Sequence, residues 1–305
     1  MAEYQFYTAD VFTDRAFQGN PLAVVPAAEG LDDETMLAIT REFNYSETVF
    51  ALPPVDPAHT RRLRIFTPAG ELPFAGHPTV GTAFVLAAIG AIPLAGELTR
   101  IVFEEGVGPV PVAIMAREGK PVFTQLSAAK LPEFGPLPPP VEQIAAVFGL
   151  AADDFLGGEY APQAVSCGVP FLFAPLRSRA ALARIRLDRA AWQRTLADYW
   201  APEAFLFSFE VERPGSHLHA RMFAPKLGIG EDPATGAAAT ALAGYLAARD
   251  HSGAERLHWR VEQGFEMGRA SILEVEADRL TGAGALSAIR VGGSSVLVSS
   301  GTLHI

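Results

Sequence analysis

Phe66-Thr-Pro…Ala75-Gly-His-Pro-Thr-Val-Gly-Thr-Ala83 is echoed later in the chain by Phe223-Ala-Pro…Glu231-Asp-Pro-Ala-Thr-Gly-Ala-Ala-Ala239. In both, a polar residue before a proline leads into a run almost without polar side chains. The second copy has two residues fewer between its first proline and its second. Working outward, Val102-Phe-Glu-Glu-Gly106 is matched by Arg260-Val-Glu-Gln-Gly264, and Gly19-Asn-Pro-Leu-Ala-Val-Val25 more weakly by Gly168-Val-Pro-Phe-Leu-Phe173. The three pairs run in the same order, offset by roughly 150 to 160 positions. That period is far too long for a solenoid and describes two copies of one domain-sized unit. The length of 305 residues agrees, since a chain of this size forms about two domains.

Composition narrows the classes. Apolar residues are 49% and charged residues 19%, so the chain can bury a sizeable core and is not disordered. Twenty-four basic side chains against 34 acidic ones give a net charge of −10. A polyanion partner needs a cationic footprint, so no nucleic acid is expected. Arg61-Arg62-Leu63-Arg64 alternates as a solvated edge strand would. The longest apolar stretch, Ala83 to Ala95, is broken by Gly90 and Pro93 and is too short to span a bilayer, so no membrane is expected. Met-Ala-Glu-Tyr-Gln lacks the basic and apolar regions of a secretory signal. The single cysteine, Cys167, forms no internal disulfide or cysteine zinc site. The chain therefore reads as cytoplasmic, and Cys167 as a small buried residue.

Each half reads as strands with few helices, an α+β class. Tyr4–Phe12, Leu22–Pro26, Ser46–Leu52 and Arg62–Phe66 have strand character. Leu31-Asp-Asp-Glu-Thr opens a helix to about Phe43, its acids favouring the dipole. Pro78 is expected to start a helix to about Ile89; being apolar all round, it should be buried. Residues 99–116 look like a hairpin, and an extra helical segment is expected around Ala180–Tyr199. The junction is placed near Glu118-Gly119-Lys120, giving domains 1–118 and 119–288, with strands 289–305 crossing back to complete the first.

The chemistry gathers at the repeat. With Pro78 and Pro233 at first helical positions, His77 and Asp232 would be the preceding caps. Asp232 suits that structural role and His77 does not. Both helix starts would offer free N–H groups and a positive dipole end to an anion. By symmetry the two would face each other across the junction and hold a small carboxylated substrate. Glu47, on a strand with Val49 and Ala51 on its face, has two readings. It either points to water at an edge or loses hydration, raising its pKa into the range for proton shuttling. His217 and His219 could share a strand face, but two histidines without a third ligand make a poor metal site. Gly228-Ile-Gly230-Glu-Asp-Pro233 lacks a dinucleotide fingerprint, and no Gly-x-Ser-x-Gly elbow occurs.

These residues resemble the PhzF-like phenazine-biosynthesis isomerase family, of the diaminopimelate epimerase-like fold, over nearly the whole chain. The likeness is carried by Phe17-Gln-Gly-Asn-Pro-Leu-Ala-Val, Ser46-Glu47-Thr48, Phe74-Ala-Gly-His-Pro-Thr-Val-Gly-Thr-Ala83, Gly230-Glu-Asp-Pro-Ala-Thr-Gly236, Glu262-Gln-Gly264 and Val291-Gly-Gly293. It implies two similar domains, each a sheet wrapped round a central helix. It implies that Glu47 is the proton-shuttling acid/base, with His77 and Asp232 as catalytic partners. Asn20, Ser46, Gly76, Thr235, Gly236 and Ala237 would bind substrate. It implies no cofactor, no metal and a homodimer. The best-known family reaction isomerises trans-2,3-dihydro-3-hydroxyanthranilate. Two departures stand out. Ala237 occupies the position of a substrate-binding serine, and one thiol cannot perform the two-cysteine racemisation of the epimerase relatives. An epimerase using Glu47 with Asp232 or His77, and a non-catalytic binding protein of the same fold, are the alternative readings.

Overall fold

The computed structural model describes residues 2–280 and 285–305. The chain divides into two units, Met1–Ala129 with Val291–Ile305, and Lys130–Arg290.

In the first unit, β1 (Glu3–Val11) pairs antiparallel with β2 (Asn20–Val25). After α1 (Asp33–Phe43), β3 (Glu47–Leu52) lies parallel to β2, with Leu22 opposite Glu47. Strand β4 (Arg61–Thr67) is antiparallel to β3, and β5 (Gly70–Leu72) turns back on it. Helix α2 (Gly76–Ala88) precedes β6 (Leu98–Glu105), β7 (Gly108–Arg117) and β8 (Lys120–Ser127), an antiparallel meander. Asp32 caps α1 by accepting from Thr35 N, and Asn44 ends it in the left-handed conformation.

Helix α2 has no polar face, and its residues from Gly76 to Ala87 are buried, packed against β1, β2, β3, β7 and β8. Val80, Val85 and Leu86 are fully buried there, each stabilising the unit by about 1.5–3 kcal/mol. Helix α1 covers the opposite side of the strands, where Met36 and Ile39 meet Val25, Phe50 and Phe66. Since Phe50 faces α1, Glu47, Val49 and Ala51 point to the α2 side.

The second unit repeats this order. It runs through β9 (Glu133–Phe134), α3 (Val141–Phe148), β10 (Gln163–Ser166) and β11 (Pro170–Pro175). Two short helices follow, α4 (Arg179–Arg184) and α5 (Arg189–Thr195), then β12 (Glu203–Ser208), β13 (Leu218–Ala224) and β14 (Ile229–Asp232). Helix α6 (Gly236–Ala247) is the counterpart of α2 and is buried almost throughout. Strands β15 (Arg256–Gln263) and β16 (Ser271–Arg279) pair antiparallel. Phe173, Phe205 and Phe207 pack around Tyr245 of α6. Helices α3–α5 form the outer layer with Phe148, Leu182 and Trp192 in its core. Strand β17 (Leu286–Gly293) then leads to β18 (Ser295–His304), which pairs antiparallel along the whole of β1.

Two expectations are corrected. The junction does not fall at residues 118–120. Glu118 and Gly119, at φ 53 and φ 72, form the tight turn of the β7–β8 hairpin, with Arg117 opposite Lys120. Strand β8 thus belongs to the first unit, and the division falls after Ala129. The helix starts also differ. His77 and Asp232 are not N-caps; Ala75 and Thr235 are. Pro78 is the third residue of α2, where the missing N–H is still one that no turn of helix would use. Asp232 instead ends β14, opposite Met222. The true register aligns Pro73 with Pro233 and Gly76 with Gly236. Phe66 to Gly76 spans ten positions and Phe223 to Gly236 thirteen, so the second copy is longer here; it accommodates a 3-10 turn at Pro225–Leu227.

Candidate active site

Three polar side chains meet inside the first unit. Asn20 begins β2, Glu47 begins β3 and His77 is the second residue of α2. They are 0%, 8% and 4% exposed. Pairing of β2 with β3 sets Glu47 beside Leu22, two residues from Asn20, and the start of α2 brings His77 to both. Its Nδ1 lies 3.3 Å from Asn20 Nδ2, and its Nε2 lies 3.5 Å from Glu47 Oε2. Burial drives the His77 pKa down to about 3, so the imidazole is neutral and carries one N–H. The ring also hydrogen-bonds the Pro21 backbone, and the approach of Nε2 to Glu47 Oε2 is a close contact, not a hydrogen bond. Of the three groups, the carboxylate of Glu47 is the one able to take a proton, with a neutral imidazole and an amide as its polar neighbours. Ser46, half-buried, precedes Glu47 in the bend before β3.

A second polar group is built in the other unit. Asp232 is 6% exposed, and its Oδ2 accepts a very short bond from Thr235 Oγ1. Gln263 secures this turn from the end of β15. Its Nε2 donates to Asp232 O at 2.8 Å and to Thr235 Oγ1 at 3.0 Å, and its Oε1 accepts from Thr235 N at 3.1 Å. Neither Ala75 nor Thr235 makes a side-chain cap bond. The first-turn N–H groups at Gly76 and His77, and at Gly236 and Ala237, are therefore not covered by their own caps. Ala237 is half-buried and, in the corrected register, stands where the first unit has His77.

Sequence reasoning missed the parts played by Gln263 and Glu105, though both lie in the matched strand ends Glu104-Glu105-Gly106 and Glu262-Gln263-Gly264. The glycines were the available signal. A Cβ on Gly106 would come within 2.7 Å of Pro73 Cα, and one on Gly264 within 2.5 Å of Pro233 O. Each strand end must therefore press against the proline that precedes the helix. His219 is buried with both ring nitrogens engaged, Nδ1 to Glu262 at 2.7 Å and Nε2 to Glu266 at 3.0 Å. Burial opposes its charge, but the two carboxylates outweigh it and raise the pKa to about 9. His217 lies outside β13 and accepts from Arg260 N. Among the described residues no three His, Cys, Asp or Glu side chains are grouped to hold a metal ion. Cys167 is partly buried, with its thiol directed to Thr240 O and its pKa pushed up to about 12 by burial.

Known proteins place this architecture. A family model described as "Phenazine biosynthesis-like protein" matches residues 9–301. An uncharacterized isomerase of Mesorhizobium japonicum is 43% identical over 303 residues, covering 97% of each chain. The trans-2,3-dihydro-3-hydroxyanthranilate isomerase of Pseudomonas aeruginosa is 34% identical, covering 99% of this chain and all of that one. A PhzF-family phenazine biosynthesis protein of Bacillus anthracis superposes with a TM-score of 0.89 at 25% identity over the full length of both. The protein is thus an isomerase of the diaminopimelate epimerase-like fold, in two pseudo-repeated halves. More narrowly, the chain belongs to the phenazine biosynthesis-like, or PhzF, family.

Proposed function

We propose that this isomerase needs no cofactor and moves a proton between carbons of a small carboxylated substrate, with Glu47 as acid and base. The observation that carries the reading is the buried contact of Glu47 with a neutral His77, itself next to Asn20. A carboxylate in such a setting can take a proton from carbon with the imidazole as its polar neighbour. It can then return the proton to another carbon once the anion has delocalised. Asn20, Ser46 and the N–H groups at Gly76 and at Gly236–Ala237 are assigned to substrate binding, and helix N-termini favour an anionic group. Asp232, oriented by Thr235 and Gln263, is assigned a polar substituent or a proton relay. A cyclic substrate of the kind named for the Pseudomonas aeruginosa relative is the first candidate. Ala237 can offer no side-chain hydrogen bond, so a substrate with one polar group fewer is the second. A homodimer in the cytoplasm completes the reading; light scattering checks the assembly.

The test is turnover of trans-2,3-dihydro-3-hydroxyanthranilate in heavy water. Deuterium on a ring carbon with a shifted double bond is expected, whereas inversion at one carbon would make the enzyme an epimerase. Glu47→Gln is nearly isosteric and should lower kcat by about 10²–10⁴-fold, the usual worth of a general base. Asp232→Asn should cost less in kcat than in KM if it binds a substituent. Full turnover by Glu47→Gln on a verified substrate would remove Glu47 from the chemistry.

A further inference from the structure

Glu105 ends β6 and is 8% exposed. Among the described residues its hydrogen-bond partner is Thr79, the fourth residue of α2, at 2.6 Å from Glu105 Oε1. The Thr79 hydroxyl also lies 2.7 Å from the carbonyl oxygen of Ala75, the N-cap of α2. A hydroxyl has one proton to give. The Ala75 carbonyl can only accept, and it already takes Thr79 N–H at 3.3 Å, so the one hydroxyl proton can serve Ala75 O or an ionised Glu105 but not both. With Glu105 ionised, one of the two contacts, at 2.6 Å or 2.7 Å, is left without a proton. The arrangement is satisfied when Glu105 carries the proton and donates it to Thr79, which donates in turn to Ala75. The second unit supports this independently. Gln263 stands in the position of Glu105, before the matched glycine. There a neutral amide donates to the N-cap Thr235 of α6 and accepts from its N–H. A protonated carboxyl has the same pair of functions, one donor and one acceptor.

We propose that Glu105 is a neutral, hydrogen-bond-donating carboxylic acid in the resting protein, and that it positions the α2 N-terminus that carries His77. Glu105 is a positioning residue; its relay Glu105–Thr79–Ala75 fixes the first turn of the helix. Burial agrees with the neutral form, pushing the Glu105 pKa up to about 8. Among the described residues no ion pair to Glu105 is formed. Arg64 of β4 is engaged with Asp33 and Glu71 of β5. Arg62 of β4 lies in register with Glu104. Glu104, the neighbour on its own strand, accepts from Val55 N, Asp56 N and His59. His77, in the same first turn of α2, is neutral. Among the described residues Oε2 of Glu105 has no hydrogen-bond partner, an arrangement costlier for a carboxylate than for an acid.

Melting of wild type and Glu105→Gln between about pH 5 and pH 9.5 tests this. The folded pKa lies above the unfolded one, so the native state keeps a proton that the unfolded chain releases. Wild-type stability contributed by this group falls as pH rises toward about 8, and the amide variant has no such titration. The melting point of Glu105→Gln should therefore gain on wild type from pH 5 to pH 8 and stay level beyond. A gap constant across the range means that wild type is ionised throughout and overturns the proposal. If the variant does not fold, wild type labelled with 13C at its glutamate carboxyls gives the answer. The Glu105 resonance should titrate near pH 8; one already at its ionised position near pH 6 overturns the assignment. On a verified substrate, Glu105→Gln should keep kcat within about threefold at neutral pH, and Glu105→Ala should not. That last expectation rests on the roles given above to Glu47 and His77. Were Glu47→Gln fully active, that reading would fail while the melting result stood.

Discussion

Duplication sets the same residue in two surroundings. Strand pairing makes Glu203 the second unit's counterpart of Glu47: Glu47 opposes Leu22 and precedes the Thr48–Phe66 pair, while Glu203 opposes Phe171 and precedes the Ala204–Phe223 pair. Both carboxyls are buried, at 8% and 3% exposure. Their partners differ, because the helix position that holds His77 in one unit holds Ala237 in the other. Glu203 is raised to about 7 by burial, against the pull of the Lys226 and Leu227 backbone. Among the described residues no histidine makes the contact with Glu203 that His77 makes with Glu47, so Glu203 is assigned no chemistry. Glu203→Gln should leave turnover within about threefold of wild type, against the 10²–10⁴-fold loss expected of Glu47→Gln. Steady-state rates of the two variants on one substrate decide it, and equal losses would mean that the shared scaffold position, not the Glu47–His77 contact, is what matters.

At the scale of elements, the buried helices were legible because neither α2 nor α6 has a polar face, and an element without one must be enclosed. Their starting points were not. His77-Pro78 and Asp232-Pro233 look alike as dipeptides, but proline is accepted anywhere in the first turn and so cannot mark its first residue. The glycines that follow the strands mark the register better, since Gly106 meets Pro73 and Gly264 meets Pro233. The grouping of Glu47 with His77 followed from the family likeness; the roles of Gln263 and Glu105 depend on which oxygen faces which hydroxyl, and spacing does not encode that. The glycine contacts make a prediction. Gly106→Ala forces a methyl onto Pro73 Cα, and Gly264→Ala onto the Pro233 carbonyl, both of them backbone atoms with little freedom to move. Overpacking of this kind costs about 1–3 kcal/mol. Gly264 also sits at φ 78, where a Cβ adds about 1–2 kcal/mol of backbone strain. Urea midpoints should rank wild type above Gly106→Ala above Gly264→Ala, and the reverse order of the two variants would refute the role of backbone conformation.

The molecule as a whole depends on its last residues to complete its first unit. Strand β18 pairs with β1 from Glu3–His304 to Val11–Ser295, with one register shift at Thr8 and Ala9. Its neighbour β17 pairs with β8, and Gly292 lies so close that a Cβ there would be 2.5 Å from Thr124 O. Without residues 291–305, β1 keeps β2 on one side but loses its partner on the other, and β8 loses β17. An unpaired row of backbone donors and acceptors is costly when buried and adhesive when exposed. The second unit, Lys130–Arg290, contains its own central helix and outer layer and loses none of its strands except the end of β17. A chain ending at Arg290 should therefore fail unevenly. Amides of β1, β2 and β8 should exchange with solvent in seconds to minutes, while those of β12, β13 and α6 stay protected, as expected of separately cooperative units. Hydrogen exchange read by mass spectrometry on the truncated chain measures both at once. Uniform loss of protection through both units would mean that they fold as one, and that the C-terminal strands support the entire molecule instead of the unit they join.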